Sequence, residues 1–252
     1  MKSIVETIYD AQKGAYEIEK VTETHCKFSI DEAYQYQNQL IERLVSEGSV
    51  IAGYKMGLTS REKMEQMGIP APIYGVLLEE MLIKDGVLDH SKLIHPKAEP
   101  EIAVLMKADV APDASVEELE AAIGWMAPAI EVIDSRFKDF KFTMADVVAD
   151  NCSSTAFAVG KWVPYRAEGV EIAPIQVRLV INGETKTEGG SSAVLGSPIA
   201  SMRELQASLA KEGKQLRKGQ LVLTGAITTA IRIFPGDTVS TETGSIGSVT
   251  FR

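Results

Sequence analysis

Three glutamates in apolar surroundings carry the strongest chemical signal in this sequence. Glu99 and Glu101 lie in HPKAEPEIAVLM at 95–106, and Glu131 lies in APAIEVID at 127–134. If the first segment is a strand, its side chains alternate between two faces. Glu99 and Glu101 then share the face that continues as Ala103 and Leu105, while Ile102, Val104 and Met106 take the other. A strand apolar on both faces is usually buried, and two carboxylates at its mouth repel each other and resist desolvation. A divalent cation or a proton relieves both costs. Three carboxylates without a thiolate suit a hard ion, Mg²⁺ or Mn²⁺, completed by water and substrate oxygens. Spacing alone leaves a plainer reading equally open, an E-x-E pair at an exposed strand end.

Lys55 is the second candidate. It sits in GYKMGLTS at 53–60, between hydrophobic residues and ahead of a helix expected at 61–67. A partly desolvated lysine with a lowered pKa serves proton transfer, and Gly57 with the N–H groups after it forms a cradle for a carboxylate. Spacing alone favours a surface lysine on a strand. Asn151, Cys152, Ser153 and Ser154 make a polar loop after Asp150, and Thr224 with Gly225 ends a β-type run where donors could face a substrate. Asp134 has Arg136 nearby as an ion partner, whereas Glu131 has no local one. Cys152 reads as a small buried hydrophobe. There is no GxGxxG opening a helix, no Walker A loop, no HExxH and no GxSxG. With only His25, His90 and His95, a His-rich metal site or a serine triad has little to draw on.

Helices and short strands must position these groups. Ser3 with Glu6, Ser29 with Glu32 and Ser115 with Glu118 are capping boxes ahead of apolar patterns. Gly48 fits the end of the second helix. A fourth helix starts at Ser197 with Pro198 at its first position and Gly213 beyond its end. The first fifty residues therefore read as helical. Residues 51–252 read as a catalytic domain of eight or nine short strands between Gly and Pro breaks, a strongly curved mixed sheet of roll or barrel type, and the fold class is α+β. Asn182-Gly183 is a hairpin turn, and Pro235-Gly236-Asp237 another.

Composition bounds the partners. The chain has 252 residues, 45% hydrophobic and 24% charged, with a net charge of -9, which fits a sizeable core. No basic stripe points to nucleic acid, and no long apolar run points to a membrane span or secretory signal. Two separated cysteines, Cys26 and Cys152, favour a reducing compartment, so the expected location is the cytoplasm.

The series KMGLTS (55–60), PIYG (72–75), HPKAEPEI (95–102), PAIEVIDSR (128–136), VADN (148–151), AVLGSP (193–198) and LTGAI (223–227) resembles the fumarylacetoacetate hydrolase superfamily. The resemblance runs from about residue 50 to the C-terminus and is strongest to the hydratase and decarboxylase branch. It implies that Glu99, Glu101 and Glu131 hold Mg²⁺ or Mn²⁺. It implies that Lys55 is catalytic and that the backbone near Leu58 meets a small 2-oxo acid. Hydratases of the branch carry PDYG or PDFG, where this chain has Ile73. Hydration needs a group to handle water; decarboxylation is favoured by an apolar wall. KMEQMG (63–68), SKLIHPK (91–97) and VIDSRFKDFKF (132–142) also look like the decarboxylase side. The activity implied is metal-dependent decarboxylation of 2-oxo-3-hexenedioate, with Leu58, Ile73 and Thr224 at the substrate. The alternative is hydration of 2-hydroxypenta-2,4-dienoate. A hydrolase of the superfamily would need a water-activating His–Glu pair, which is not identifiable, and a purely structural partner would not need Lys55 and three carboxylates. Homo-oligomers and association with the pathway hydratase follow from the resemblance. Relatives commonly have AVLGHP, and here Ser197 replaces the histidine; a serine there can cap the following helix.

Overall fold

The computed structural model of the chain describes residues 2–60, 64–65, 71–166 and 175–252. The N-terminal part is helical: α1 (Ile4–Gly14), a single turn α2 (Val21–Thr24) and α3 (Ile30–Ser46). The capping boxes at Ser3 and Ser29 are both formed, with Glu6 and Glu32 each accepting the serine backbone N–H at 2.8 Å. These caps satisfy donors that a helix start leaves open. Ile4, Ile8, Leu40, Ile41 and Leu44 form the buried stripes of α1 and α3.

Two sheets follow. Among the described residues the larger has eight strands: β1 (Ile51–Gly57), β2 (Ile73–Leu78), β3 (Lys97–Met106), β4 (Ile123–Ile133), β5 (Ser154–Val159), β6 (Val163–Pro164), β9 (Leu221–Leu223) and β10 (Ile231–Arg232). Its main path runs β2-β1-β9-β3-β4-β5, with β10 on β3 and β6 on β4. The β1–β9 pair is parallel and the other pairs are antiparallel. The smaller sheet, in order β12-β11-β7-β8, holds β7 (Gln176–Ile181), β8 (Glu184–Gly190), β11 (Val239–Thr243) and β12 (Gly247–Phe251). Short helices α4 (Val116–Ala121) and α5 (Met144–Ala149) and the longer α6 (Pro198–Lys211) complete the chain.

The large sheet is buried on both faces, which explains its apolar texture. On one face Ile130, Val132, Ala98 and Ile102 pack against Leu179, Ile181 and Val177 of the small sheet. A second core joins Tyr54 and Met56 of β1 with Ile8 of α1, Leu40 of α3 and Met202, Leu205 and Leu209 of α6. The expected helical start and strongly curved mixed sheet are what the structure has.

Several local expectations shift. The Ser115 cap is formed, but α4 ends at Ala121 and Ile123 already belongs to β4, which starts five residues earlier than its apolar run suggests. Helix α5 escaped notice because its capping box uses Thr143 and Asp146 rather than a glutamate. Strand β8, ETKTEGG, is polar, and only the Asn182-Gly183 turn, with φ of 54° and 81°, announced it. The helix expected at 61–67 and the KMEQMG motif fall largely outside the described residues.

Candidate active site

Sheet register places the three glutamates. Glu99 of β3 lies directly opposite Glu131 of β4, and Glu101, two residues further on, lies opposite Ala129. Direct cross-strand neighbours have Cβ atoms about 5 Å apart and share a face. All three carboxylates therefore converge, and one oxygen from each lies within 4.8 Å of the others. Glu101 and Glu131 are completely buried, and Glu99 is half-buried.

Lys55 reaches the same face by another route. It pairs in register with Leu223 of β9, which pairs with Ala103 of β3, two residues past Glu101. Its Nζ lies 3.0 Å from Glu131 Oε1, and both side chains are buried. The residue opposite Lys55 on its other side is Gly75 of the PIYG motif. A Cβ on Gly75 would lie 2.5 Å from Ser154 Oγ and 2.7 Å from the Asn151 carbonyl oxygen. The turn at 151–154 thus rests on the sheet beside Lys55 because residue 75 has no side chain. Asn151 fixes it there, accepting the Val76 N–H and donating to the Val76 carbonyl, each at 2.8 Å. Asn151, Cys152 and Ser153 all take left-handed backbone, uncommon for consecutive residues with side chains.

Glu101 and Glu131 are poorly compensated by the described residues. Glu101 Oε2 accepts the Gly225 N–H at 2.8 Å, but Glu101 Oε1 has no hydrogen-bond partner among the described residues. Among the described residues no donor is aligned on either oxygen of Glu131, despite its ion pair with Lys55. Burial raises the Glu131 carboxyl to about 7 against the pull of Lys55. Burial, then Glu131 and Glu99, push Glu101 well above the usual carboxylate range. The lowered pKa expected for Lys55 is not found. Burial does pull it down, but Glu131, Cys152 and Glu99 outweigh burial and hold the ammonium charged. Oxygens of Glu101 and Glu131 without a hydrogen-bond partner among the described residues thus point into the cluster. An all-oxygen set of three convergent carboxylates fits a hard divalent cation.

The proposed substrate residues surround this centre. Leu58 is half-buried with φ of 56°, a left-handed conformation that turns the backbone after Gly57. A Cβ on Gly57 would lie 3.2 Å from Ile73 and 3.8 Å from Lys55 Nζ, so buried Ile73 forms an apolar wall by the ammonium. Thr224 is placed differently from expectation. Its hydroxyl donates to the Ile102 carbonyl at 2.9 Å, so its proton is committed to the backbone, and the neighbouring Gly225 N–H serves Glu101.

Residues 52–252 match the family described as fumarylacetoacetate (FAA) hydrolase C-terminal. The chain belongs to the fumarylacetoacetate hydrolase family. Within it, the chain is 40% identical to a 4-oxalocrotonate decarboxylase of Pseudomonas putida, over 99% of this chain and 95% of the relative. It is 30% identical to a 2-keto-4-pentenoate hydratase of Paraburkholderia xenovorans LB400, over 97% and 91%. Its fold superposes with a TM-score of 0.93, at 40% identity and over 98% of this chain and 95% of the other, on the 4-oxalocrotonate decarboxylase from Pseudomonas putida G7 complexed with magnesium and adipate.

Other motif residues of this fumarylacetoacetate hydrolase family member take structural roles. Ser197, at the position of the family's histidine, caps α6 by accepting the Ala200 N–H at 3.1 Å. Arg136 pairs with Asp150 rather than with Asp134, whose carboxylate instead accepts the N–H groups of Ile94 and His95 at 2.6 and 2.8 Å. Cys152 is buried and donates to the Tyr74 carbonyl. The roles of Gly75 and Gly225 were missed. A glycine inside an apolar β-run is the signal that marks close approach.

Proposed function

We propose that this chain is a metal-dependent carboxy-lyase that converts 2-oxo-3-hexenedioate (4-oxalocrotonate) to 2-hydroxypenta-2,4-dienoate and CO₂, a step of meta-cleavage degradation of aromatic compounds. The observation that carries this reading is the convergence of Glu99, Glu101, Glu131 and Lys55 on one buried face, beside an apolar Ile73. The 40% identity to a decarboxylase, against 30% to a hydratase, supports the choice between the two branches. Adipate, bound with magnesium in the decarboxylase of similar fold, has the same six carbons and two terminal carboxylates as this substrate.

The substrate is a vinylogous β-keto acid. Losing its far carboxylate as CO₂ sends an electron pair along the alkene to the 2-oxo oxygen. A divalent cation, Mg²⁺ or Mn²⁺, bound by Glu99, Glu101 and Glu131 supplies Lewis acidity for the charge developing on that oxygen. Lys55, held charged among the carboxylates, adds positive charge near that oxygen or delivers the proton that makes the dienol. The backbone turn at Leu58 orients the acid, and Ile73 excludes water from the carbon that would otherwise be hydrated. On this reading residues 1–50 form a helical region beside a catalytic domain at 51–252. The enzyme is a cytoplasmic homo-oligomer that associates with the pathway hydratase. No helix among the described residues is long and apolar enough to cross a membrane.

The test is CO₂ release from freshly generated 2-oxo-3-hexenedioate by metal-stripped protein, before and after Mg²⁺ is restored. Release that depends on the metal supports the reading. No release from a folded protein that binds Mg²⁺ overturns it in favour of hydration.

A further inference from the structure

One cluster outside the metal centre is left without a role by the reaction. His95, Lys97 and Arg232 line a surface basin of about 700 Å³, together with Tyr16, Glu17, Asp139 and Phe140. Lys97 begins β3 and lies directly opposite Arg232 of β10. Register partners share a face, and alternation along β3 puts Lys97 on the face of Glu99 and Glu101. Lys97 and Arg232 therefore form a cationic rung next in line after Glu99. Burial falls in the same direction, from buried Glu101 to half-buried Glu99 and Lys97. Exposure along this face of β3 thus rises from the metal centre toward the rung.

Neither cation has a carboxylate within ion-pair distance among the described residues, although Glu17 acts on Arg232 from further off. Lys97 Nζ sits 3.9 Å over the Phe140 ring, a contact that holds a cation without neutralising it. Arg232 is half-buried, and its only hydrogen bond among the described residues is a long one, 3.3 Å, to the Ile94 carbonyl. Neither makes an ion pair among the described residues. The two acids of the basin are engaged elsewhere. Glu17 faces His95 Nδ1 at 3.0 Å and accepts the Asp139 N–H at 3.1 Å, and Asp139 pairs with Lys141 at 3.5 Å. His95 Nε2 is buried without a hydrogen-bond partner among the described residues. A partly desolvated arginine beside an unpaired lysine favours a carboxylate, which guanidinium binds in bidentate fashion.

We propose that Lys97 and Arg232 form a subsite for the far carboxylate of a dicarboxylic 2-oxo acid whose near end is held at Glu99, Glu101 and Glu131. The spacing agrees. Two residues along a strand cover about 6.7 Å, and five carbon–carbon bonds in a zigzag span roughly 6 Å. The proposal rests on the decarboxylase reading for its substrate, and it has a kinetic consequence. A cation beside the leaving carboxylate stabilises the ground state, so the rung acts in capture and selection of dianions, and its loss falls on KM rather than kcat. In a protein of net charge -9 it also gives an incoming dianion a local attraction.

The test compares 2-oxoadipate with 2-oxohexanoate, which differ only in the far carboxylate and lack the alkene needed for reaction. Binding of each to the Mg²⁺-loaded full chain is measured by calorimetry for wild type, Arg232→Gln, Lys97→Gln and the double variant. The expected result is a wild-type preference for 2-oxoadipate that falls roughly tenfold in either single variant, with 2-oxohexanoate affinity unchanged. A preference that survives in whichever variants fold overturns the subsite, even in an enzyme that releases CO₂. A preference lost in the variants, in a wild type that releases no CO₂, upholds the subsite while the decarboxylase reading fails.

Discussion

Lys55 Nζ lies 3.0 Å from Glu131 Oε1 although β9 and β3 separate their strands in the sheet. In a flat sheet, three strand spacings and the four-residue offset from Ala127, level with Lys55, to Glu131 would set their Cα atoms about 19 Å apart, beyond the combined reach of the two side chains. The contact exists because the sheet curls, and the curl is what turns a row of separate strands into a site. It also means that each partner offsets the other's burial: Lys55 is the cation paired with buried Glu131, and Glu131 with Glu99 holds the buried ammonium charged.

Removing one ligand separates metal binding from folding. Glu101→Gln keeps the shape and removes a charge, so the protein folds, binds Mg²⁺ far more weakly and releases CO₂ at least ~10²-fold more slowly. A metal titration alongside the CO₂ assay checks this. Near-wild-type turnover by Glu99→Ala combined with Glu101→Ala would falsify the metal assignment.

The raised carboxyl of Glu131 sets a pH dependence for the metal-free protein. Its folded value of about 7 lies above the ordinary 4.5, so the folded state holds the proton more tightly than the unfolded chain. That contribution is fully present below pH 4.5 and is lost as pH rises through 7. Metal-free wild type should therefore lose thermal stability between pH 5 and 8 relative to Glu131→Gln. Mg²⁺ should restore it most at the alkaline end, with proton release on binding. Unfolding midpoints across that range, with and without Mg²⁺, give the answer; parallel curves for the two proteins would remove Glu131 as the cause.

Much of this was legible in the sequence, for reasons that can be named. Capping boxes at Ser3 and Ser29 are local chemistry, readable over four residues. The alternation that set Glu99 and Glu101 on one face needs only a strand. What could not be read was register. Nothing in either segment says that Glu99 faces Glu131 rather than a neighbour one residue away, nor that Lys55 meets Glu131 across two intervening strands. The same blindness paired Arg136 with Asp134, two residues away, when the fold gives it Asp150. Thr224 looked like a donor for substrate because its bond to Ile102 spans 122 positions of sequence.

Gly75→Ala probes the support behind Lys55. The added carbon would meet the Asn151 carbonyl at 2.7 Å, and backbone gives way less readily than a side-chain tip. The turn at 151–154 should lift, breaking the two Asn151 bonds to Val76, at a stability cost of ~1–3 kcal/mol. Activity should fall by more than stability accounts for, since Lys55 shares that wall. Thermal unfolding together with kcat at a temperature well below the midpoint separates the two effects. Unchanged kcat in a destabilised protein would confine Gly75 to folding.

Ile73→Asp tests the proposed choice of decarboxylation over hydration. A carboxylate in place of the apolar wall would lie close to Lys55 and compete for its charge, and it would bring water toward the reacting carbons. It also recreates the acid that hydratases of the branch carry in the same motif. CO₂ release should fall at least ~10-fold, and hydration of 2-hydroxypenta-2,4-dienoate, followed by loss of the diene absorbance, should rise above wild type. Loss of the first activity without any gain of the second would still fit an apolar wall that speeds decarboxylation. A variant that decarboxylates as fast as wild type would show that Ile73 does not face the reacting end of the substrate, and the wall would have to be sought elsewhere around Lys55.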